Sequence, residues 1–184
     1  MLRLEYITRD DFDKVLDWNK NSTPEFLMQW AGPIFDYPLT KEQLDTYFSR
    51  GANEQDSDTF VYKIVQVESN QCVGMIELGK IDRRNKSGRI GRFLIGEQNK
   101  RGSGIGQLVL KTIIGIGFEE FGLHKISLGV FDFNHQAISC YEKVGFVKEG
   151  FLRDSRKVGN CYWSLYEMSI LEEEWRSARD CNIR

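Results

Sequence analysis

The 184-residue chain has little of what several enzyme classes require. It holds two histidines, His124 and His135, each isolated, so the sequence points to no metal centre and no histidine-based triad. Four cysteines, Cys72, Cys140, Cys161 and Cys181, show no CxxC or other metal-ligand spacing. They read as reduced, mostly buried thiols. No apolar run approaches the ~20 residues of a membrane span, and Met1 to Tyr6 has no signal-peptide apolar core. A cytoplasmic protein with no membrane contact is expected. A net charge of −2 gives no bulk attraction to nucleic acid. Nor is there an internal repeat, a low-complexity tract or a linker.

What is present is an ordinary globular balance, 41% apolar and 28% charged residues, and enough length for a sizeable core. One domain over 1–184 is expected. Leu2 to Ile7 alternates like a strand, and Thr8 or Asp10 can cap a helix reaching about Trp18. Residues 20–39 read as irregular, with Trp30-Ala31-Gly32-Pro33 and Tyr37-Pro38 marking loop. Thr40-Lys41-Glu42-Gln43 is a capping box for a helix with Leu44, Tyr47 and Phe48 on its apolar face. Two hairpins follow, turning near Ser69-Asn70 and near Asn85 to Gly88. Two strand–helix units come next, then a strand over Cys161 to Met168 and a short helix over Glu172 to Arg179. This order predicts a mixed α/β, or α+β, sheet with antiparallel strands and βα crossovers.

The richest segment is Gln98-Asn99-Lys100-Arg101-Gly102-Ser103-Gly104-Ile105-Gly106-Gln107. It sits between a strand ending Arg92-Phe93-Leu94-Ile95-Gly96 and an apolar helix from Leu108. A glycine-rich turn entering a helix exposes backbone N–H groups, and the helix dipole favours an anion there. A P-loop is excluded because Gln107 follows Gly106, and a dinucleotide fingerprint because 107 and 109 are Gln107 and Val109. Arg-x-x-Gly-x-Gly is met by Arg101, Gly104 and Gly106. Taken alone, the segment also reads as a flexible surface turn. Downstream, Asn134 is a good N-cap, Ala137, Ile138, Tyr141 and Val144 make an apolar stripe, and Gly145 ends the helix. Late in the first of the two helices, Gly115 and Gly117 imply close packing on the sheet or an early helix end.

These residues carry a resemblance. The Arg101–Gly106 loop resembles the acetyl-CoA pyrophosphate loop of the GNAT superfamily of N-acetyltransferases. Asn134 to Phe146 is similar to that family's N-x-x-A-x-x-x-Y-x-K-x-G-F signature. Glu149-Gly150-Phe151-Leu152-Arg153 resembles a run of the ribosomal-protein alanine and polyamine acetyltransferase subgroup. The likeness covers about residues 73–171. It implies a GNAT-like, mostly antiparallel central sheet flanked by helices, with a splayed strand pair that holds acetyl-CoA as co-substrate, and no metal.

The resemblance assigns the pyrophosphate to the backbone of Arg101, Gly102, Ser103, Gly104, Ile105 and Gly106. It assigns the pantetheine arm to Leu94, Ile95 and Gly96 at the strand end and to Asn134. Tyr141 is implied at the departing sulfur: a phenol of pKa about 10 can give a hydrogen bond or a proton to a thiolate of pKa about 8.5. Relatives carry a glutamate early in the splayed strand, where this chain has Arg89-Ile90-Gly91-Arg92. Glu77 is then the best candidate base, with Glu97 and a water chain as others. The basic cluster Lys80, Arg83, Arg84, Lys86, Arg89, Arg92 reads either as a solvated hairpin or as attraction for the phosphorylated end of CoA. The acceptor is an amine, small and polyamine-like or aminoglycoside-like, or a protein N-terminus. Trp30, Phe35, Tyr37, Tyr47, Phe48, Asp36, Asp45 and Asp58 are candidates to shape its pocket. A homodimer through the late strands is expected from Tyr162, Trp163 and Tyr166. The alternative is a catalytically silent acyl-CoA sensor of the same fold.

Overall fold

A computed structural model describes residues 1–181. Seven strands form one sheet in the order β1-β2-β3-β4-β5-β7-β6. They are β1 (Leu2–Tyr6), β2 (Phe60–Gln66), β3 (Gln71–Asp82), β4 (Ser87–Ile95), β5 (Lys125–Phe131), β6 (Val147–Val158) and β7 (Cys161–Leu171). Every pairing is antiparallel except β4 with β5. That parallel pair is joined only at Ser87–Arg89 against Lys125–Ser127, although β4 runs on to Ile95 and β5 to Phe131. The two strands therefore splay, as the resemblance implies.

Six helices cover the two faces. α1 (Phe12–Asn19), α2 (Pro24–Ala31) and α3 (Lys41–Phe48) pack on one, around Phe12, Leu27, Leu44, Met75 and Leu94. On the other lie α4 (Ile105–Gly115), α5 (His135–Lys143) and α6 (Glu172–Cys181), over Ile64, Ile76, Leu78, Leu110, Ile113 and Ile126. Successive side chains of a strand point to opposite faces. Met75 accordingly serves the first core, and Ile76 and Leu78 the second. No described helix is long and apolar enough to cross a membrane.

α2 corrects the irregular reading of 20–39. Thr23 caps it, its hydroxyl accepting from the Phe26 N–H, and Pro24 occupies the first helical turn. Pro at N1 after a Thr cap is a helix start, and that pairing was the overlooked signal. At α3 the Thr40 hydroxyl caps the Gln43 N–H. The Gln43 amide, however, bonds Asp36 and Pro38, so no reciprocal box forms. α4 runs through Gly115 into a π turn, Ile116–Glu120. A Cβ on Gly117 would lie 2.6 Å from Ile126 Cδ1, so close packing explains that glycine.

The cysteines are less buried than expected. Cys72 and Cys140 are half-buried and Cys161 is exposed, because Cys161 opens β7 beside the Gly159-Asn160 turn. The side chain of Cys181 lies outside the described residues.

Candidate functional site

Two adjoining cavities occupy the splay between β4 and β5. The larger, about 440 Å³, lies between the end of β4, the loop entering α4, and α5. That is within the size range of small-molecule sites. The smaller, about 200 Å³, is bounded by the end of α2 and by β3, β4, β5 and β6. They share Gln29, Trp30, Gly129, Val130 and Phe131 as walls.

The floor of the larger cavity is the glycine loop. Gly102 and Gly104 have φ of 77° and 84°, left-handed values that side chains resist. Neither would find an atom within 4 Å of an added Cβ, so the space above them is open. Gly104 is the N-cap of α4, and the first internal bonds of that helix come from Gln107 and Leu108 to the Gly104 carbonyl. Five consecutive backbone N–H groups, Gly102 to Gly106, have no acceptor among the described residues. Convergent free N–H groups at a helix N-terminus form a phosphate cradle. The Arg101 guanidinium does not reach into it. Its Nε donates to the Ile95 carbonyl at 2.9 Å, and it lies over the Phe26 ring at 5.4 Å, tying loop to strand and α2.

Of the predicted pantetheine residues, Leu94, Ile95 and Asn134 line the larger cavity. Asn134 also caps α5, accepting from the Ala137 N–H at 3.2 Å. Gly96 is directed elsewhere: its N–H donates to Val73 and the Trp18 ring covers it. The Ser103 hydroxyl turns back to the Lys100 carbonyl at 2.6 Å, and Ser103 does not line the larger cavity.

Tyr141 lines the same cavity, its ring edge-on to Phe146 at 5.9 Å. The hydroxyl has no partner among the described residues, yet it is not sealed away, since Arg92 Nε, outside this cavity, is the one fully buried side-chain polar atom among the described residues left without a partner. Burial pushes the phenol above its ordinary value, so the group is held protonated as a donor. Cys140 shares the cavity, its Sγ against Gly106. Burial raises its thiol as well, the opposite of an activated thiolate.

Glu77 lies on the wall of the smaller cavity and is 5% exposed. It forms an ion pair with Arg92 and accepts from the Tyr47 hydroxyl. Desolvation outweighs both partners and raises its pKa above 4.5. Tyr47 is pushed up by burial and by the Glu77 charge, and the Arg92 guanidinium lies 4.5 Å from its ring centre. A β-bulge aims Arg92 there. Glu77 pairs with Gly91 and Met75 with Leu94, so β4 spends one residue more than β3, and Arg92 takes φ of 44°. Glu97 is drawn off by Lys14 at 2.7 Å and the Trp18 indole at 3.3 Å, which lower its pKa and disfavour it as a base.

The basic cluster is divided by β4. Arg83, Arg84 and Lys86 belong to the hairpin tip, at the opposite end of that strand from the glycine loop, while Lys80, Arg89 and Arg92 border the smaller cavity. A strand of that length spans roughly 30 Å, which places the tip away from the phosphate cradle. Among the aromatics, Trp30 walls both cavities and is fixed by Asn19 at 3.0 Å. Phe48 packs on Phe12, Tyr37 is exposed, and Asp36, Asp45 and Asp58 do not line either cavity described. Sequence reasoning missed Phe26, Gln29 and Arg156. The first two followed from overlooking α2, and Arg156 reaches the site from a strand far along the chain.

Comparison with known proteins identifies the family. Residues 1–147 match the family described as Acetyltransferase (GNAT) domain. The SPbeta prophage-derived N-acetyltransferase YokL of Bacillus subtilis is 34% identical over 147 residues, 76% of this chain and 82% of that one. Spermidine N(1)-acetyltransferase of Vibrio cholerae is 24% identical over 158 residues, 85% of this chain and 86% of that one. The crystal structure of the Vibrio cholerae enzyme with CoA and spermine superimposes with a TM-score of 0.81 at 22% identity, covering 95% of this chain and 98% of that one. The same enzyme is also known as a dodecamer. The chain belongs to the GNAT family of acetyl-CoA-dependent N-acetyltransferases.

Proposed function

We propose that the larger cavity holds acetyl-CoA, with the pyrophosphate on the N–H groups of Gly102 to Gly106 and the thioester beside Tyr141. The amine then enters through the smaller cavity and attacks directly. The observation that carries this reading is that the free N–H groups of Gly102, Gly104, Ile105 and Gly106 and the unpartnered phenol of Tyr141 belong to residues lining one cavity. Leu94, Ile95 and Asn134 line the path between them and take the pantetheine arm.

In the reaction the amine nitrogen bonds the acetyl carbon, and the C–S bond breaks. The nitrogen loses one proton and the sulfur gains one. Glu77, with its pKa raised by burial, takes the amine proton; Tyr141 donates a hydrogen bond to the sulfur as charge develops there. A phenol above its ordinary pKa is a poor source of a free proton for a thiolate of about 8.5, so its part is donation within a relay. Arg92 and Tyr47 hold the Glu77 carboxylate in place.

The acceptor is a primary amine, and the spermidine activity of the Vibrio cholerae relative supports a small one. All seven strands lie in one sheet, which supports reading the chain as one acetyltransferase domain. The chain also associates with itself along β6. That strand is an outer edge of the sheet, with Val147, Phe151 and Leu152 exposed on it and Tyr162 exposed nearer the turn into β7, and exposed apolar edges invite pairing. The test of the reaction is free thiol release from acetyl-CoA across a panel of amines. Tight acetyl-CoA binding without turnover on any amine would return the chain to the silent sensor.

A further inference from the structure

The smaller cavity carries more positive charge than the transfer chemistry needs. Lys80, Arg89, Arg92 and Arg156 line it, with Glu77 the one carboxylate among its wall residues. Arg89 is held by both oxygens of Glu167, at 2.7 and 2.8 Å, and Arg92 by Glu77. Four cations against these two carboxylates leave two in excess. They are Lys80 and Arg156, which have no carboxylate partner among the described residues. Arg156 bonds only the carbonyl and hydroxyl of Ser155, at 2.7 and 3.2 Å. Asp58 lies close enough to oppose the ionisation of Glu77, but it is not a wall residue.

The backbone spends strain to place these cations. Six non-glycine residues have positive φ. Asn53, Asn70 and Lys86 sit in turns. Of the other three, Lys80 at 50° and Arg92 at 44° border this cavity, and Asp154 at 49° lies two residues before Arg156, which borders it too. Each coincides with a register shift, in β3–β4 or in β6–β7. Bulges re-aim side chains, and left-handed non-glycine residues in strands persist where surrounding structure holds them. Three strands thus converge their cations on one space of about 200 Å³.

We propose that the acceptor carries an anionic oxygen group, a carboxylate or a phosphate, close to its reactive amine, and that Lys80 and Arg156 receive it. This rests on the reading that the smaller cavity is the acceptor's. A purely cationic polyamine would meet two uncompensated like charges there. An amine bearing an oxyanion neutralises them and is oriented by them, with its nitrogen toward the walls shared with the acetyl-CoA cavity.

The test uses matched acceptors that differ by the anion. Lysine against cadaverine and arginine against agmatine test carboxylate; phosphoethanolamine against ethanolamine tests phosphate. kcat/KM is read by thiol release from acetyl-CoA. The anion-bearing member of at least one kind should be preferred on the order of ten- to a hundred-fold, the range of a charge-assisted hydrogen bond. Lys80→Gln with Arg156→Gln should collapse that preference by raising KM for the anion-bearing member. Retained acetyl-CoA stabilisation reports that the doubly substituted protein is folded. Preference for the amines without an anion, or a preference that survives both substitutions, overturns the proposal. If no acceptor turns over, the transfer reading fails instead, and calorimetry with CoA present still decides. Weaker or equal binding of the anion-bearing members then sinks the anionic acceptor on its own.

Discussion

Gly104→Val places a side chain where the cradle has none. At φ of 84° the native residue is left-handed, and an added Cβ meets no protein atom within 4 Å. Two effects follow, and they separate. The first is strain, about 1–2 kcal/mol for a non-glycine residue in this conformation. At roughly 2–4 °C per kcal/mol for a chain of this size, Tm without ligand should fall by about 2–8 °C. The second is loss of the ligand's own effect. Acetyl-CoA at a hundred times its Kd should stabilise the wild type by about 2.7 kcal/mol, a rise of roughly 5–11 °C. The valine occupies the space a pyrophosphate needs, so that rise should vanish. Gly159→Val is the control. Gly159 lies in the β6–β7 turn at φ of 58°, also with open space, so it should show similar strain and keep the full rise. Thermal melts of the three proteins with and without acetyl-CoA make the comparison. A folded Gly104→Val protein with an undiminished acetyl-CoA rise would refute the cradle.

Tyr141→Phe keeps the ring against Phe146 and removes the hydroxyl. Turnover should drop by about 10²–10⁴-fold while acetyl-CoA affinity, read by calorimetry, stays within about two-fold; normal turnover would make the phenol a packing residue. Glu77 must be ionised to act, and burial sets its pKa above 4.5, so wild-type kcat should fall as pH drops through that raised value. Glu77→Gln should remove this acid limb, and its rate deficit should shrink at high pH, where the amine is already neutral. A limb unchanged in the variant would assign the proton to another group. Phe151→Asp on the exposed edge strand should shift the light-scattering mass toward monomer. A wild type that is monomeric at every concentration would discard the β6 interface.

The glycine loop and the larger cavity were legible because their backbone geometry is local. Glycines at 102 and 104 announce a left-handed backbone, and the apolar helix after Gly106 announces where free N–H groups point. Ten consecutive residues therefore specify a loop with left-handed glycines and a run of free N–H groups. Asn134 and Tyr141 belong to one nine-residue helix and its cap, so their spacing alone puts both on the same cavity. Even there the direction of a side chain escaped the sequence. Gly96 reads as the end of a free strand, but its glycine is spent on accommodating Trp18, some eighty residues earlier.

The wall of the smaller cavity was not legible, for a physical reason. Its cations come from β3, β4 and β6, and three left-handed residues that interrupt strand alternation aim them. A period-two reading assigns faces correctly only while the register holds, and one bulge inverts every face beyond it. Ile90 joins the core beneath α4, yet Arg92, two residues on, meets Tyr47 and Glu77 on the opposite side. Glu77 itself follows the alternation of β3 onto the face under α3, and the bulge in β4 brings Arg92 to it as a buried ion pair. If the smaller cavity takes the acceptor, substitutions at Lys80, Arg92 and Arg156, which sit where strand periodicity breaks, should redirect acceptor choice while acetyl-CoA stabilisation of the fold stays as it is.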